Sequence, residues 1–173
     1  MTPGLQIRSL QERDLRGFNQ AVNAVCRERR FLAHLEGFSL EASRDYLREV
    51  LTNGWPHVIA VDAELVIGWC DIVPGRIRGF RHVGMLGMGV VSDHRRKGIV
   101  RRLMAECIVR AKMRALEKLE LEVFSDNAPA IELYSQFGFV REGLKKHARK
   151  LDGRYQDILL MGRMLGPSED RVA

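Results

Sequence analysis

The stretch "VVSDHRRKGIVRRLM" (Val90–Met104) packs four kinds of chemistry into fifteen residues. An apolar run ends at Val91. A polar turn and the basic triplet Arg95, Arg96 and Lys97 follow, then a single glycine, Gly98. From Ile99 the apolar residues recur at helical spacing, through Val100, Leu103, Met104, Cys107, Ile108, Ala111 and Ala115. The spacing predicts a buried strand that turns into a helix over about Gly98–Leu116. The first N–H groups of such a helix have no intrahelical partner. Its dipole adds roughly half a positive charge at the same end. An anion, a diphosphate above all, suits that junction, and a glycine lets it approach the backbone. The equally simple reading is a turn glycine with solvated arginines. Neither the GxxxxGK[ST] nor the GxGxxG phosphate pattern is present here.

Upstream, "VGMLGMGVV" (Val83–Val91) is nearly continuous in apolar residues and small glycines, as expected of a central strand buried on both faces. "HVIAVDAELVIGWCDIVPG" (His57–Gly75) reads as two strands about a tight turn near Asp62–Glu64. "GRIRGFRH" (Gly75–His82) reads as loop or strand end. "LQIRSL" (Leu5–Leu10) alternates like a strand. Asp14 is a candidate cap for a helix to about Arg27, and Ser39 for a second helix closed by Asn53-Gly54. Downstream, "KLELEVF" alternates cleanly. "NAPAIELYSQFG" (Asn127–Gly138) has a cap, a first-turn proline and a stop glycine. "FVREGL" and "YQDILLMGRML" read as two last strands. The order β α α β β β α β α β β predicts an α/β (α+β) fold, a mixed sheet with helices on both faces.

At 173 residues the chain suits one domain over 1–173, with a core of about 5–165 and a polar tail at 166–173. Hydrophobic residues make up 46% and charged residues 29%, which excludes disordered and fibrous classes. No apolar run approaches the roughly 20 residues that span a bilayer, and the N-terminal segment lacks a signal-like apolar region, so a cytoplasmic protein without membrane contact is expected. The three cysteines are scattered and fit reduced thiols. The five histidines have no metal-binding spacing, so no metal is assigned. A net charge of +6 suits an anionic partner. Nucleic acid is disfavoured, because no RNP-like aromatic motif, recognition helix or zinc finger accompanies the charge.

Two segments make the reading specific. "RRKGIV" resembles the Arg/Gln-x-x-Gly-x-Gly/Ala acyl-CoA signature of the GNAT superfamily of N-acetyltransferases. "NAPAIELYSQFGF" (Asn127–Phe139) is similar to that superfamily's second signature, N-x-x-A-x-x-L-Y-x-x-x-G-F. Both stand in the family's order and spacing, and the resemblance covers nearly the whole chain. The ending from "FVREGL" onward resembles the phosphinothricin-type and ribosomal-protein N-terminal acetyltransferase branches. One residue departs from the pattern: Val100 stands where the family has glycine or alanine.

The resemblance implies a mostly antiparallel sheet of about six to seven strands, splayed between the fourth and fifth. Acetyl-CoA, the cosubstrate, would lie in the splay. Arg95 would add side-chain charge at the pyrophosphate. The backbone of Arg96, Lys97, Gly98, Val100 and Arg101 would hold it. Met88 to Val90 would pair with the pantetheine amides, and Asn127 with the CoA arm, unless Asn127 is only a helix cap. Tyr134 would protonate the leaving thiolate, unless it only packs beside Leu133 and Phe137. A base is useful for the acceptor ammonium. Asp71 ends an otherwise apolar strand, His82 enters the cofactor strand, and Glu36 precedes the second helix; each also fits a plain surface charge. Glu36, Asp71 and Tyr155 are candidate acceptor contacts, and Tyr155 with Asp157 would face the acceptor or a homodimer partner. Cys70 and Cys107 lack a Cys–His–Asp order and read as small buried hydrophobes. The implied activity is direct acetyl transfer to the primary amine of a small molecule or amino acid. The alternatives are protein N-terminal acetylation and a non-catalytic CoA-binding domain.

Overall fold

The computed structural model describes residues 4–166. Strand β1 (Gln6–Ser9) leads into helices α1 (Leu15–Arg27) and α2 (Leu40–Asn53). Strands β2 (His57–Asp62), β3 (Leu65–Pro74) and β4 (Val83–Val90) follow, then helix α3 (Ile99–Met113), strand β5 (Lys118–Phe124) and helix α4 (Ala128–Gln136). The hairpin β6 (Val140–Leu151) and β7 (Arg154–Met164) ends the fold. This is the element order expected from the sequence. The strands form one seven-stranded sheet in the order β1-β2-β3-β4-β5-β7-β6. β4 and β5 run parallel over Val83–Met85 and Lys118–Glu120, whereas β1–β2, β2–β3, β5–β7 and β6–β7 are antiparallel. The tail expected at 166–173 lies, from residue 167 on, outside the described residues. No helix among the described residues is long and apolar enough to cross a membrane.

Contacts divide the chain into two compact units. One takes the chain up to Val73 together with Leu86–Arg114; the other takes Pro74–Met85 and the chain from Ala115 onward. In the first unit, the alternation of β2 and β3 sends successive side chains to opposite faces. Ile59, Val61 and Trp69 join Leu10, Phe18, Val22, Val25, Cys26 and Leu47 in a buried cluster under α1 and α2. On the opposite face α3 fits against small residues. A Cβ at Gly68 would stand 3.4 Å from Leu103, and the Cys107 thiol lies 3.4 Å from the Cys70 carbonyl. Leu103, Met104, Cys107 and Ala111 are fully buried there.

The start of α2 is as expected: the Ser39 hydroxyl accepts the Ala42 N–H at 3.0 Å. The start of α1 is not. A 3-10 turn over Glu12–Asp14 already gives Asp14 helical geometry, so its carboxylate makes no cap bond. Asp14 instead accepts both Arg8 guanidinium nitrogens, at 2.6 and 2.7 Å, and the Gln11 N–H at 2.9 Å. The predicted third helix also ends earlier than expected, at Met113, because Ala115 takes a left-handed φ of 56°.

In the second unit, Leu119, Leu121 and Val123 are the buried side of β5, with Leu159 and Met161 of β7. The outward residues pair by charge, Glu120 with Lys118 and Glu122 with Lys145. Gly75–His82 contains a 3-10 turn at Arg78–Phe80.

Candidate active site

The turn between β4 and α3 is built by two left-handed residues, Arg96 at φ 58° and Gly98 at φ 76°. Gly98 caps α3, and the first helical bond closes from the Arg102 N–H to the Gly98 carbonyl at 3.4 Å. The N–H groups of Ile99 and Val100 precede that bond, where helix geometry offers them no partner. No heavy atom lies within 4 Å of a Cβ built at Gly98. The glycine therefore answers a backbone angle, and its outer face stays open. Arg96, Lys97 and Arg101 are exposed around it, while Val100 is half-buried. This is the chemistry of an anion seat.

Arg95 does something other than supply mobile charge. Its Nε donates to the Val90 carbonyl at 2.8 Å, its Nη1 donates to Glu28 at 2.7 Å, and its guanidinium lies 4.6 Å from the Phe31 ring centroid. The end of β4 is thereby tied to the segment after α1. That segment is pinned again by Asn23, which accepts the Phe38 N–H at 2.8 Å and donates to the Phe38 carbonyl at 3.0 Å. Glu36 lies on it, exposed.

Upstream of the turn, the glycines of "GMGV" explain themselves. A Cβ at Gly89 would fall 2.3 Å from the Trp69 ring, and one at Gly87 would fall 3.1 Å from Asp71 Oδ1. The strand is bare so that two β3 side chains fit against it. Asp71 is half-buried beside Tyr46, Trp69 and Gly87. Desolvation pushes its carboxyl up to about 7, against the pull of hydrogen bonds from Tyr46 and Trp69. Tyr46 on α2 donates its hydroxyl to Asp71 Oδ2 at 3.0 Å. His57 is the cross-strand partner of Asp71, and its Nδ1 lies 3.4 Å from the same phenol oxygen. His57 is buried beneath the edge of Phe18, and desolvation alone pushes it down to about 3. A carboxyl titrating near neutrality is suited to exchanging protons with an amine.

Neither Tyr46 nor His57 stood out in the sequence. Tyr46 flanks the buried stripe of its helix and packs against the core like any aromatic there, and His57 merely begins a strand. Only the β2–β3 register brings His57 across from Asp71. Met88 is half-buried and Val90 buried on β4. His82 is exposed, and it is its carbonyl that is engaged, by the N–H groups of Glu117 and Lys118 at 2.8 and 3.1 Å. Tyr134 is buried, its ring edge-on to Phe139 at 6.0 Å. Asn127 caps α4 by accepting the Ala130 N–H at 3.3 Å. Tyr155 is exposed in the hairpin, with His147 and Lys150 against its ring. Asp157 accepts the His147 N–H at 2.7 Å, which holds the β6 irregularity. The Cys70 thiol is pushed well above its ordinary range by its hydrogen bond with Cys107 and by burial. It is no nucleophile in this state.

The strand β4 thus carries an open turn suited to an anion at its end and faces a desolvated carboxyl along its length. Residues 23–139, more than half the chain, match the acetyltransferase (GNAT) family, and the chain belongs to it. The L-amino acid N-acetyltransferase AaaT of Escherichia coli strain K12 is 37% identical over 48% of this chain; the match spans 52% of that relative, about half its length. An L-methionine sulfoximine/L-methionine sulfone acetyltransferase of Pseudomonas aeruginosa strain PAO1 is 30% identical over 67% of this chain and 69% of its own. Among solved structures, a ribosomal-protein-alanine N-acetyltransferase from Brucella melitensis superposes with a TM-score of 0.86 at 29% identity, over 92% of this chain and 99% of that one. A phosphinothricin acetyltransferase from Sinorhizobium meliloti, solved in complex with acetyl-CoA, has the same fold, with a TM-score of 0.87 at 23% identity over 96% of this chain and 94% of that one.

Proposed function

We propose that this protein transfers the acetyl group of acetyl-CoA to the primary amine of an amino acid or a close analogue, with Asp71 as the base. The observation that carries the reading is the desolvated Asp71 carboxyl facing bare Gly87, on the strand that runs into the Gly98 turn. The amino-acid acceptors named for two relatives support the substrate class. The N–H groups at the start of α3, with Arg96, Lys97 and Arg101 around them, hold the pyrophosphate in this reading.

Asp71 takes one proton from the acceptor ammonium: an N–H bond breaks and an O–H bond forms. The neutral amine attacks the thioester and a C–N bond replaces the C–S bond; Tyr134 gives its proton to the leaving thiolate, and the second proton lost by the acceptor nitrogen restores the phenol. One proton is released to solvent per turnover. Asn127 would touch the CoA arm while it caps α4, and Glu36 and Tyr155 would border the acceptor. Reduced thiols and a CoA cosubstrate fit a cytoplasmic setting.

Thiol release from acetyl-CoA, measured against a panel of amino acids including L-methionine sulfone, polyamines, aminoglycosides and peptide N-termini, tests the reading. Amino acids are expected to lead, and Asp71→Asn is expected to lower kcat by about 100-fold or more while acetyl-CoA still binds. Acetyl-CoA binding without release for any amine would sink the catalytic reading in favour of a sensing domain. A second acceptor class, a protein N-terminal alanine, is favoured by the 29% identity to the ribosomal-protein enzyme; the peptide arm of the panel decides it.

A further inference from the structure

Asp71 ends a short hydrogen-bonded chain whose far end carries an anomaly. The Nε2 atom of His57 is buried and has no hydrogen-bond partner among the described residues. The Tyr46 hydroxyl has a single proton and two neighbours, Asp71 Oδ2 at 3.0 Å and His57 Nδ1 at 3.4 Å. A carboxylate is the stronger acceptor, so the phenol proton goes to Oδ2. The phenol oxygen then accepts from Nδ1, which must carry the imidazole hydrogen. This leaves Nε2 as a bare lone pair. The alternative tautomer would leave a buried N–H without an acceptor, which is the rarer defect in folded proteins.

We propose that Tyr46 and His57 are positioning residues for acetyl transfer: the chain from His57 Nδ1–H through Tyr46 O–H fixes Asp71 Oδ2, so that Oδ1, facing Gly87, takes the proton of the acceptor ammonium. The proposal rests on Asp71 being the base. The proton step breaks one ammonium N–H bond, leaves its electron pair on nitrogen and forms one O–H bond at Oδ1; the proton later leaves to solvent. Tyr46 and His57 keep their protons throughout. Burial and the nearby Asp71 hold the phenol well above its ordinary range, and desolvation holds the imidazole neutral. The titratable groups around the carboxylate are Tyr46 from α2, His57 from β2, Cys70 on β3 and Cys107 from α3. Among the described residues, no cation contributes to the carboxylate's shift. The Tyr46 and Trp69 bonds are what keep the carboxylate within reach of neutral pH. Gly87, lacking a Cβ, leaves Oδ1 uncovered from the β4 side.

The test is the pH dependence of kcat/KM for the fastest amine of the panel above, at saturating acetyl-CoA. The amine's own ionisation is common to every variant, so differences between variants read Asp71. Tyr46→Phe removes a donor that favours the carboxylate. Its acid limb should move up by about one pH unit, lowering kcat/KM at pH 7 about fivefold with recovery at alkaline pH. His57→Leu should move the limb in the same direction, and His57→Asn, whose amide N–H replaces Nδ1–H, should restore it. Asp71→Asn should abolish the limb. If the limb disappears in Asp71→Asn but stays at its wild-type position in Tyr46→Phe, positioning is overturned and the base assignment stands. If the limb survives in Asp71→Asn, the base assignment itself is wrong. A reading independent of any variant comes from the ring 15N spectrum of His57 in the intact protein. A protonated Nδ1 with bare Nε2 supports the chain, and the Nε2–H tautomer overturns it.

Discussion

Gly98 is where one residue carries most of the cosubstrate argument. Its φ of 76° lies in the region that costs other residues roughly 1–2 kcal/mol, and the space beyond its missing Cβ is open. Backbone strain and ligand access can therefore be separated by mutation. Gly98→Ala should lower the melting temperature by a few degrees and weaken acetyl-CoA binding modestly. Gly98→Glu, which adds negative charge beside the helix start, should weaken binding by about 100-fold or more with a similar melting temperature to the alanine variant. Isothermal titration of both variants reads the contrast, and equal binding by the two would remove the pyrophosphate seat from this turn. Asp71 is the opposite kind of residue. Its identity as a carboxylate was visible in "GWCDIVPG", but its titration near neutrality depends on neighbours that the sequence does not list beside it. The sequence places it ahead of His82 and Glu36, as the one acid closing an otherwise apolar strand. Burial separates the three: Asp71 is half-buried against Tyr46 and Trp69, whereas the other two side chains are exposed.

At the scale of elements, each helix and strand was legible because its periodicity and its end signals agree. Ser39 and Gly54 bracket α2, Asn127 and Gly138 bracket α4, and the alternation of "KLELEVF" matches a strand with one buried side. The errors lie where a short-range competitor intervened. Asp14 does not cap α1 because a 3-10 turn already gives it helical geometry, and its carboxylate turns instead to Arg8 and the Gln11 N–H. Arg95 is expected beside the pyrophosphate because nothing in "HRRKG" says which arginine turns inward. Its partners, Glu28 and Phe31, lie far back along the chain. Arg95 thus couples the end of β4 to the segment carrying Glu36. Arg95→Met should leave α1 and α2 folded but speed amide hydrogen exchange across residues 28–39 and raise the acceptor KM by about three- to tenfold. Unchanged exchange there would mean that the asparagine contacts to Phe38 suffice to hold the segment.

For the molecule as a whole, two buried groups set opposing slopes of stability with pH. Asp71 has its carboxyl raised from an ordinary 3.8 to about 7, so the folded state favours its proton; that contribution is complete below pH about 4 and is lost as pH rises through about 7. His57 is lowered from 6.5 to about 3, so the folded state refuses a proton; its contribution is complete above pH about 6.5 and is lost as pH falls toward 3. Asp71→Asn should therefore be more resistant to urea than the wild type at pH 8, with the gain vanishing by pH 4. A gain that grew toward acid would contradict the burial of that carboxylate. The acetyl-CoA signature came by resemblance to a family; the sequence by itself determined the element order, the mixed sheet, a strand-to-helix turn suited to an anion and the residue types from which a base is drawn. All of these follow from local periodicity, capping and motif spacing, which act within a few residues along the chain. Only the tertiary structure decided that Arg95 is a clamp and that Tyr46 and His57 stand behind Asp71. Those pairings join residues whose proximity is set by strand register and helix packing, and no local rule of the chain encodes distances between segments that far apart.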